Sequence, residues 1–400
     1  MTRDDTRRIL IAGAGIGGLA TAIALKQKGF EAEIFERREN ILAERGTALN
    51  IWSNAITALN RLGLGDAVVA TGARIRRQTI YSYKGDLLMD TPVEQISRVP
   101  SVNLRRSDLM RILRAGAEDV PIRFGVAVTG YRQDADGVTL LMENGEEVRG
   151  AALIGADGIR SAIRKQMTGC GEPEYLGYTI WRGISSGPVG IEPGNLAMFW
   201  GTNGLNGGCW AVDDTRFSWT IGLNTEPGGK DEPGTVKRKL LTLLEKFPEP
   251  MKKAVELTPE EDIFRIDGHA WTEAETWIDG RVVLLGDAAH AMPTVYGQGA
   301  CQALEDAVVL AESLAGATDV REGLRRYVDR RKPRMDWIRG KVFFGAKMQK
   351  MGNPLFVQLK NMYLKHFFPQ KANLATWQRL LAFDDEGVEV ERNEQAGVGR

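Results

Sequence analysis

The feature that most constrains this chain is a cluster of glycines between an apolar run and a helix-like stretch near its start. Ile9 to Ala12 suits a buried parallel strand, and Gly13-Ala14-Gly15-Ile16-Gly17-Gly18 follows directly. Gly13, Gly15 and Gly18 keep the G-x-G-x-x-G spacing. The first permits a tight turn, the second lets backbone approach a pyrophosphate, and the third lets helix and strand pack closely. Leu19 to Lys28 reads as the helix, closed by Gly29, and amides at its start, around Ile16, face phosphate charge. Glu31 to Phe35 reads as the next strand and delivers Glu36 and Arg37, where an acid can accept both ribose hydroxyls of an adenosine. Glycine spacing alone also marks ordinary turns. Strand, turn, helix and acid in this order specify a dinucleotide site. FAD and NAD stay undecided here, although Glu36 would repel the 2′-phosphate of NADP bound at this point.

Such a unit fills only about 30 residues, and a chain of 400 needs more than one small core. Asn54 to Leu62 reads as a helix. Ile80 to Tyr83 and Leu87 to Met89 read as a hairpin turning at Lys84-Gly85-Asp86. Ser107 to Ala115 reads as a helix capped by Ser107, and a strand pair spans Val126 to Val148, with turns near Asp136-Gly137 and Asn144-Gly145. Ala151 to Ile154 and Arg281 to Leu285 are further buried-strand runs. Between Tyr175 and Gly280 the chain is rich in aromatics and β-formers and predicts a mainly antiparallel sheet with one helix near Val236 to Lys246. A helix from about Ala300 to Leu314 follows. Helical character continues to about His366, and the last 15 or so residues read as a mobile tail.

The expectation is therefore an α/β protein in which a Rossmann-like nucleotide-binding domain (1–72, 100–172 and 281–335) is interleaved with a β-rich domain (73–99 and 173–280). C-terminal helices and a tail occupy 336–400. Composition removes several function classes. Lys and Arg total 52, and so do Asp and Glu, which argues against a broad basic face for nucleic acid. Three cysteines and three histidines leave few ligands for a metal, and so odd and sparse a cysteine count suits a reducing, cytoplasmic compartment. The basic leader before Ile9 superficially resembles a signal peptide, but glycines interrupt the apolar stretch and Asp4 and Asp5 sit in the leader. No run approaches the roughly 20 apolar residues of a membrane span, so no integral membrane association is expected.

Two later motifs make the expectation specific. Gly155-Ala156-Asp157-Gly158-Ile159-Arg160-Ser161, continuing to Arg164, resembles the "DG" motif of para-hydroxybenzoate hydroxylase-type FAD monooxygenases. Gly286-Asp287-Ala288-Ala289-His290, continuing to Pro293 and Gly297-Gln298-Gly299, resembles their "GD" motif. Leu104 to Leu109 resembles their arginine-bearing helix start, with Arg106 near the FAD phosphates, and Trp181-Arg182-Gly183 resembles a strand of the salicylate and urate hydroxylase branch. The resemblance covers roughly residues 9 to 335. It implies a glutathione-reductase-type FAD domain, NADH or NADPH as co-substrate, and a flavin C4a-hydroperoxide that hydroxylates a small aromatic or heteroaromatic molecule with O₂. On this resemblance Asp157 serves the pyrophosphate and nicotinamide, Asp287 the ribityl chain, and Pro293, Gly297, Gly299 and Ala300 the flavin edge. Negative charge developing there would be stabilised by the amides of the following helix.

Blander roles stay open: a plain turn for Asp157-Gly158, a helix cap for Asp287, a strand salt bridge for Arg182. His290 reads as structural, and Trp200, Trp210 and Trp219 as core more than cavity lining. The chain also departs from the resembled pattern. Thr294 stands where the family usually has proline, Tyr296 precedes Gly297, and Ala48 replaces a common glycine in Gly46-Thr47-Ala48-Leu49. Arg182, Thr294 and Tyr296 are thus the pocket candidates, with no clear catalytic base. Epoxidation, Baeyer–Villiger oxidation, another flavin redox reaction and a non-catalytic flavin-binding regulator remain as alternatives. Basic, apolar residues from Trp337 to Phe368 predict helices packed on the FAD domain, with a peripheral membrane or partner helix as the other option. Either a monomer or a homodimer is compatible.

Overall fold

A computed structural model describes residues 8–42, 48–273 and 276–387. Its first sheet has six strands in the order Ile278–Asp279, Val282–Leu284, Ala152–Gly155, Arg8–Ala12, Glu31–Phe35 and Ile122–Arg123. All neighbours run parallel except the first pair. The three central strands are apolar on both faces and almost wholly buried, as helices on either side of a parallel sheet require. Ile16–Gln27 packs on one side against the long helix Gly299–Ala315, which also contacts the helices Ser53–Arg61 and Val320–Gln349.

The second large sheet has seven strands: Phe264–Ala270, Glu174–Ser185, Phe217–Asn224, Asn206–Ala211, Asn195–Trp200, Arg77–Ser82 and Leu87–Thr91. It is antiparallel apart from the pairing of Arg77–Ser82 with Asn195–Trp200. That pairing joins the early hairpin to the later strands and makes one sheet of two distant stretches. One face, with Trp181, Phe199, Cys209 and Trp219, is sealed by the helices Val236–Leu243 and Glu249–Glu256. Period-two alternation turns Ile180, Arg182, Trp210 and Thr220 to the other face.

Several element boundaries differ from expectation. The helix expected at Ser107 spans Arg106–Gly116, and Arg105, not Ser107, holds the cap position. Leu104 belongs to the strand Ser101–Arg105, which pairs with Ala48–Ile51 and Ala73–Ile75 in a small sheet that sequence alone did not suggest. Asp108 then bonds Arg105 and Arg111, fixing the turn one residue early. The stretch from Val126 to Val148 makes three strands, Val128–Gln133, Val138–Met142 and Glu147–Gly150. C-terminal packing also differs: the helix Pro354–His366 lies on Leu87–Thr91 of the seven-stranded sheet, away from the FAD-type sheet. The expected tail falls almost entirely outside the described residues.

Candidate active site

The carboxyl ends of the central parallel strands, Ala12, Gly155 and Leu284, open on a cleft of about 410 Å³ facing the seven-stranded sheet. Gly15 and Ile16 line it at the start of the first helix, which has no side-chain cap, so its first amides stay available. Gly13 and Gly18 lie behind this wall. Gly13 adopts φ +100°, and a Cβ on Gly18 would collide with the Gly13 carbonyl oxygen. At Gly15 no atom lies within 4 Å of a would-be Cβ, so the space beside it is free for a ligand. Glu36 is nearly buried at the end of its strand, its carboxylate accepting from Ala14 N at 2.8 Å and Arg38 N at 3.0 Å, while Arg37 is exposed beside it.

Gly158, not Asp157, reaches the cleft. Asp157 Oδ2 accepts from Ala162 N at 2.8 Å, at the start of the helix Ala162–Thr168. Burial raises its pKa and leaves Oδ1 without a hydrogen-bond partner. Arg106 lines the cleft from the opposite side.

Asp287 stands at the floor of the cleft, open to it yet ringed by protein. Burial raises its carboxyl pKa, and His290 and Arg106 pull the other way. A buried charge network holds its loop in place. Asp306 accepts from Gly286 N at 3.1 Å, His290 Nε2 lies 2.7 Å from the same carboxylate, and Arg331 Nε donates to it at 2.7 Å. His290 is fully enclosed, with its ring 5.2 Å from that of Trp277. Pro293, Gly297, Gly299 and Ala300 form the next wall, and the helix Gly299–Ala315 begins there without a side-chain cap. Asn54 Nδ2 bonds Gln298 at 3.0 Å, and Trp52 Nε1 donates to Tyr296 O at 2.8 Å, so the loop is braced from below.

The facing sheet supplies the remaining wall. Arg182 points into the cleft beside Ile180 and Thr220. Its Nε is buried without a partner, no ion pair to it forms among the described residues, and burial lowers its pKa. The salt bridge open to it from sequence is therefore absent among these residues. Trp210 lines the same wall with its indole N–H also unpartnered. Thr294 is exposed to the cleft, and Tyr296 reaches it while packing edge-on against Trp377 at 5.7 Å between ring centres.

Comparison with known proteins agrees with this geometry. The profile of a family described as FAD binding domain matches residues 6–338. The chain belongs to this family and is an FAD-dependent monooxygenase. Aurachin C monooxygenase/isomerase of Stigmatella aurantiaca is 35% identical over 341 residues, covering 84% of this chain and 88% of that protein. The FAD-dependent urate hydroxylase of Klebsiella pneumoniae is 29% identical over 337 residues, covering 82% and 86%. A crystal structure of Klebsiella pneumoniae HpxO with FAD and uric acid superimposes with a TM-score of 0.87 at 26% identity, covering 94% of this chain and 97% of that one.

The cleft of this FAD monooxygenase fits its cofactor on its own terms: two uncapped helix starts, a glycine with open space beside it, and an acid at the floor. Gln78, Asn50 and Trp52, all on its walls, were not singled out from sequence. Alternation from Arg182 would have found Ile180. Gln78 and Asn50 sit on strands with pairing partners far along the chain, and Trp52 caps the helix after the second of these. The three tryptophans expected to be core have separate fates: Trp219 is core, Trp210 lines the cleft, and Trp200 lies under Leu364 of the Pro354 helix. Of Gly46-Thr47-Ala48-Leu49, the first two lie outside the described residues, while Ala48 and Leu49 line the cleft.

Proposed function

We propose that this monooxygenase hydroxylates an aromatic or heteroaromatic small molecule bearing an anionic or strongly hydrogen-bond-accepting group, with NADH or NADPH as reductant and O₂ as oxidant. The observation that carries this reading is Arg182, a partly buried side chain that lines the cleft with its Nε buried and unpartnered. Burying an uncompensated charge costs several kcal/mol, which a ligand carboxylate, phenolate or enolate would offset. Trp210 offers a second orphaned donor on the same wall, so a substrate presenting two acceptors satisfies both. The relatives named for urate hydroxylation and aurachin C oxygenation support a heterocyclic ring.

In this reading the chain divides by function into an FAD domain (1–72, 100–172, 281–335), a substrate domain (73–99, 173–280) and a C-terminal region (336–400). Gly13, Gly15, Ile16 and Gly18 hold the pyrophosphate, Glu36 and Arg37 the adenosine ribose, and Arg106 the phosphates. Asp157 supports the phosphate turn by capping the helix Ala162–Thr168. Asp287 holds the ribityl hydroxyls, and Pro293, Gly297, Gly299 and Ala300 the flavin edge. Bound flavin supplies redox chemistry and oxygen activation. The chain itself orients the ring through Arg182 and Trp210, keeps the reacting edge dry with Pro293 and Met292, and places Thr294 and the Tyr296 loop beside it.

The test is NAD(P)H oxidation by the FAD-loaded enzyme across aromatic acids, phenols and heterocycles, with products analysed for ¹⁸O from ¹⁸O₂. A compound that accelerates oxidation and gains ¹⁸O is the expected result, with acidic heterocycles ahead of neutral arenes. Turnover without ¹⁸O incorporation for any compound would refute the assignment.

A further inference from the structure

The helix Pro354–His366 is apolar on both of its sides. Its inner side is settled by contact: Val357 is buried, Leu364 packs on Ile80, Leu88 and Trp200, and Lys360 Nζ lies 4.7 Å from the centre of the Trp200 ring. Its outer side carries Leu355, Phe356, Leu359, Met362 and Tyr363, with Phe367 just beyond. Ten large apolar side chains are exposed among the described residues. Seven of them, these six and Phe344, lie between 344 and 367, each 48–66% exposed. A helix apolar all round is normally buried, and so concentrated a patch marks a contact surface.

Charge identifies what covers it. The whole chain is neutral, yet residues 337–383 contain no Asp or Glu and carry six lysines and two arginines. Lys341, Lys347, Lys365 and Lys371 are exposed, and Lys365 meets Asp86 only at 3.3 Å. Lys360 donates to Met348 O, tying the helix to the end of Val320–Gln349, the helix that carries Phe344, Lys341 and Lys347. A symmetric second copy would set this basic segment, itself without Asp or Glu, against itself. A negatively charged, apolar-cored surface meets both halves of the pattern.

We propose that the Pro354–His366 helix, with the end of the helix before it, docks the enzyme peripherally on anionic lipid bilayers, with Phe356, Leu359, Tyr363 and Phe367 entering the interface and the lysines contacting headgroups. No helix among the described residues is long and apolar enough to cross a membrane, so the docking is reversible. A narrow recess of about 70 Å³ shares Ile180, Met198, Thr294 and Val295 with the active-site cleft and is also lined by Gln349 and Lys350, at the junction before the Pro354 helix. Docking therefore sets the bilayer beside an extension of the cleft.

The test is co-sedimentation of the full-length FAD-loaded enzyme with vesicles of phosphatidylcholine alone or mixed equally with phosphatidylglycerol. Binding to the mixed vesicles that weakens with salt is expected, with at least about tenfold weaker binding to phosphatidylcholine. Phe356→Ser with Phe367→Ser, and separately Lys341→Glu with Lys347→Glu, should each lower binding about tenfold or more. All four side chains are exposed, so flavin spectrum and melting temperature should stay unchanged, and a variant failing that control is replaced by Leu359→Ser. Absence of binding to phosphatidylglycerol vesicles would overturn the proposal. So would a wild-type dimer that the double phenylalanine variant converts to monomer without vesicle binding, since the surface would then belong to a second copy.

Discussion

Arg331 is a buried arginine and Arg182 a partly buried one at a cavity wall, and they are treated in opposite ways. Arg331 is wholly enclosed and every nitrogen of its guanidinium is used: Nε on Asp306 at 2.7 Å, Nη1 on Glu305 at 2.9 Å, Nη2 on Gln302 at 2.6 Å. Burial alone would lower its pKa, but Glu305 and Asp306 outweigh that and hold it above its ordinary value. Arg182 has burial and no carboxylate, and its pKa falls. A charge satisfied from within the chain builds structure, here the support beneath the Gly286–Asp287 loop. A charge left unsatisfied at a cavity wall stores binding energy for something that arrives later.

The largest effect expected from this contrast is on Arg331→Met. Glu305 and Asp306 would lose a shared partner in a dry site, and stability should fall by about 3–5 kcal/mol in urea or thermal unfolding. A loss below about 1 kcal/mol would erase the distinction. Next, Arg182→Met should leave stability unchanged or slightly raised while kcat/KM for the acidic substrate drops at least about 100-fold, or about 2.7 kcal/mol. Equal loss for a neutral analogue would show that Arg182 does not read charge.

Smaller changes sharpen the same line. Gly15→Ala adds a Cβ where the protein has open space, so the apo chain should melt unchanged while FAD affinity falls about tenfold, or about 1.4 kcal/mol. The same network also predicts a pH dependence. Burial alone would raise Asp306, but His290 and Arg331 outweigh it and hold the carboxyl at about 2. A depressed carboxyl contributes stability above its unfolded pKa of about 3.9 and loses it as pH falls through its folded value. Urea midpoints should therefore decline between pH of about 4 and 2, by at most about 1.4 kcal/mol per pH unit for this group. Arg331→Met should flatten that slope and Arg182→Met should not touch it.

The same contrast explains how much could be read beforehand. The motifs around Gly13, Asp157 and Asp287 were legible because each does its work locally, through a turn, a cap or a helix start that neighbouring residues complete. Even there boundaries slipped by a residue or more. The Arg106 helix begins earlier than Ser107 because the preceding strand, Ser101–Arg105, is held by two partners distant in sequence. The substrate wall was barely legible. Arg182 was a candidate by resemblance, and nothing nearby in the chain says whether an acid reaches it.

By itself, then, the sequence determined the opening strand, glycine turn, helix and strand, and through its motifs the resemblance to FAD monooxygenases. Those follow from short-range steric and hydrogen-bonding demands that few residue types meet. Only the tertiary structure decided that Trp219 is core while Trp210 lines the cleft, that Arg331 is paired while Arg182 is not, and that the Pro354 helix lies outward on the second sheet. Each depends on which face of a strand or helix meets which partner. That is settled by pairing between segments up to hundreds of residues apart, where a side chain's type no longer predicts its neighbours.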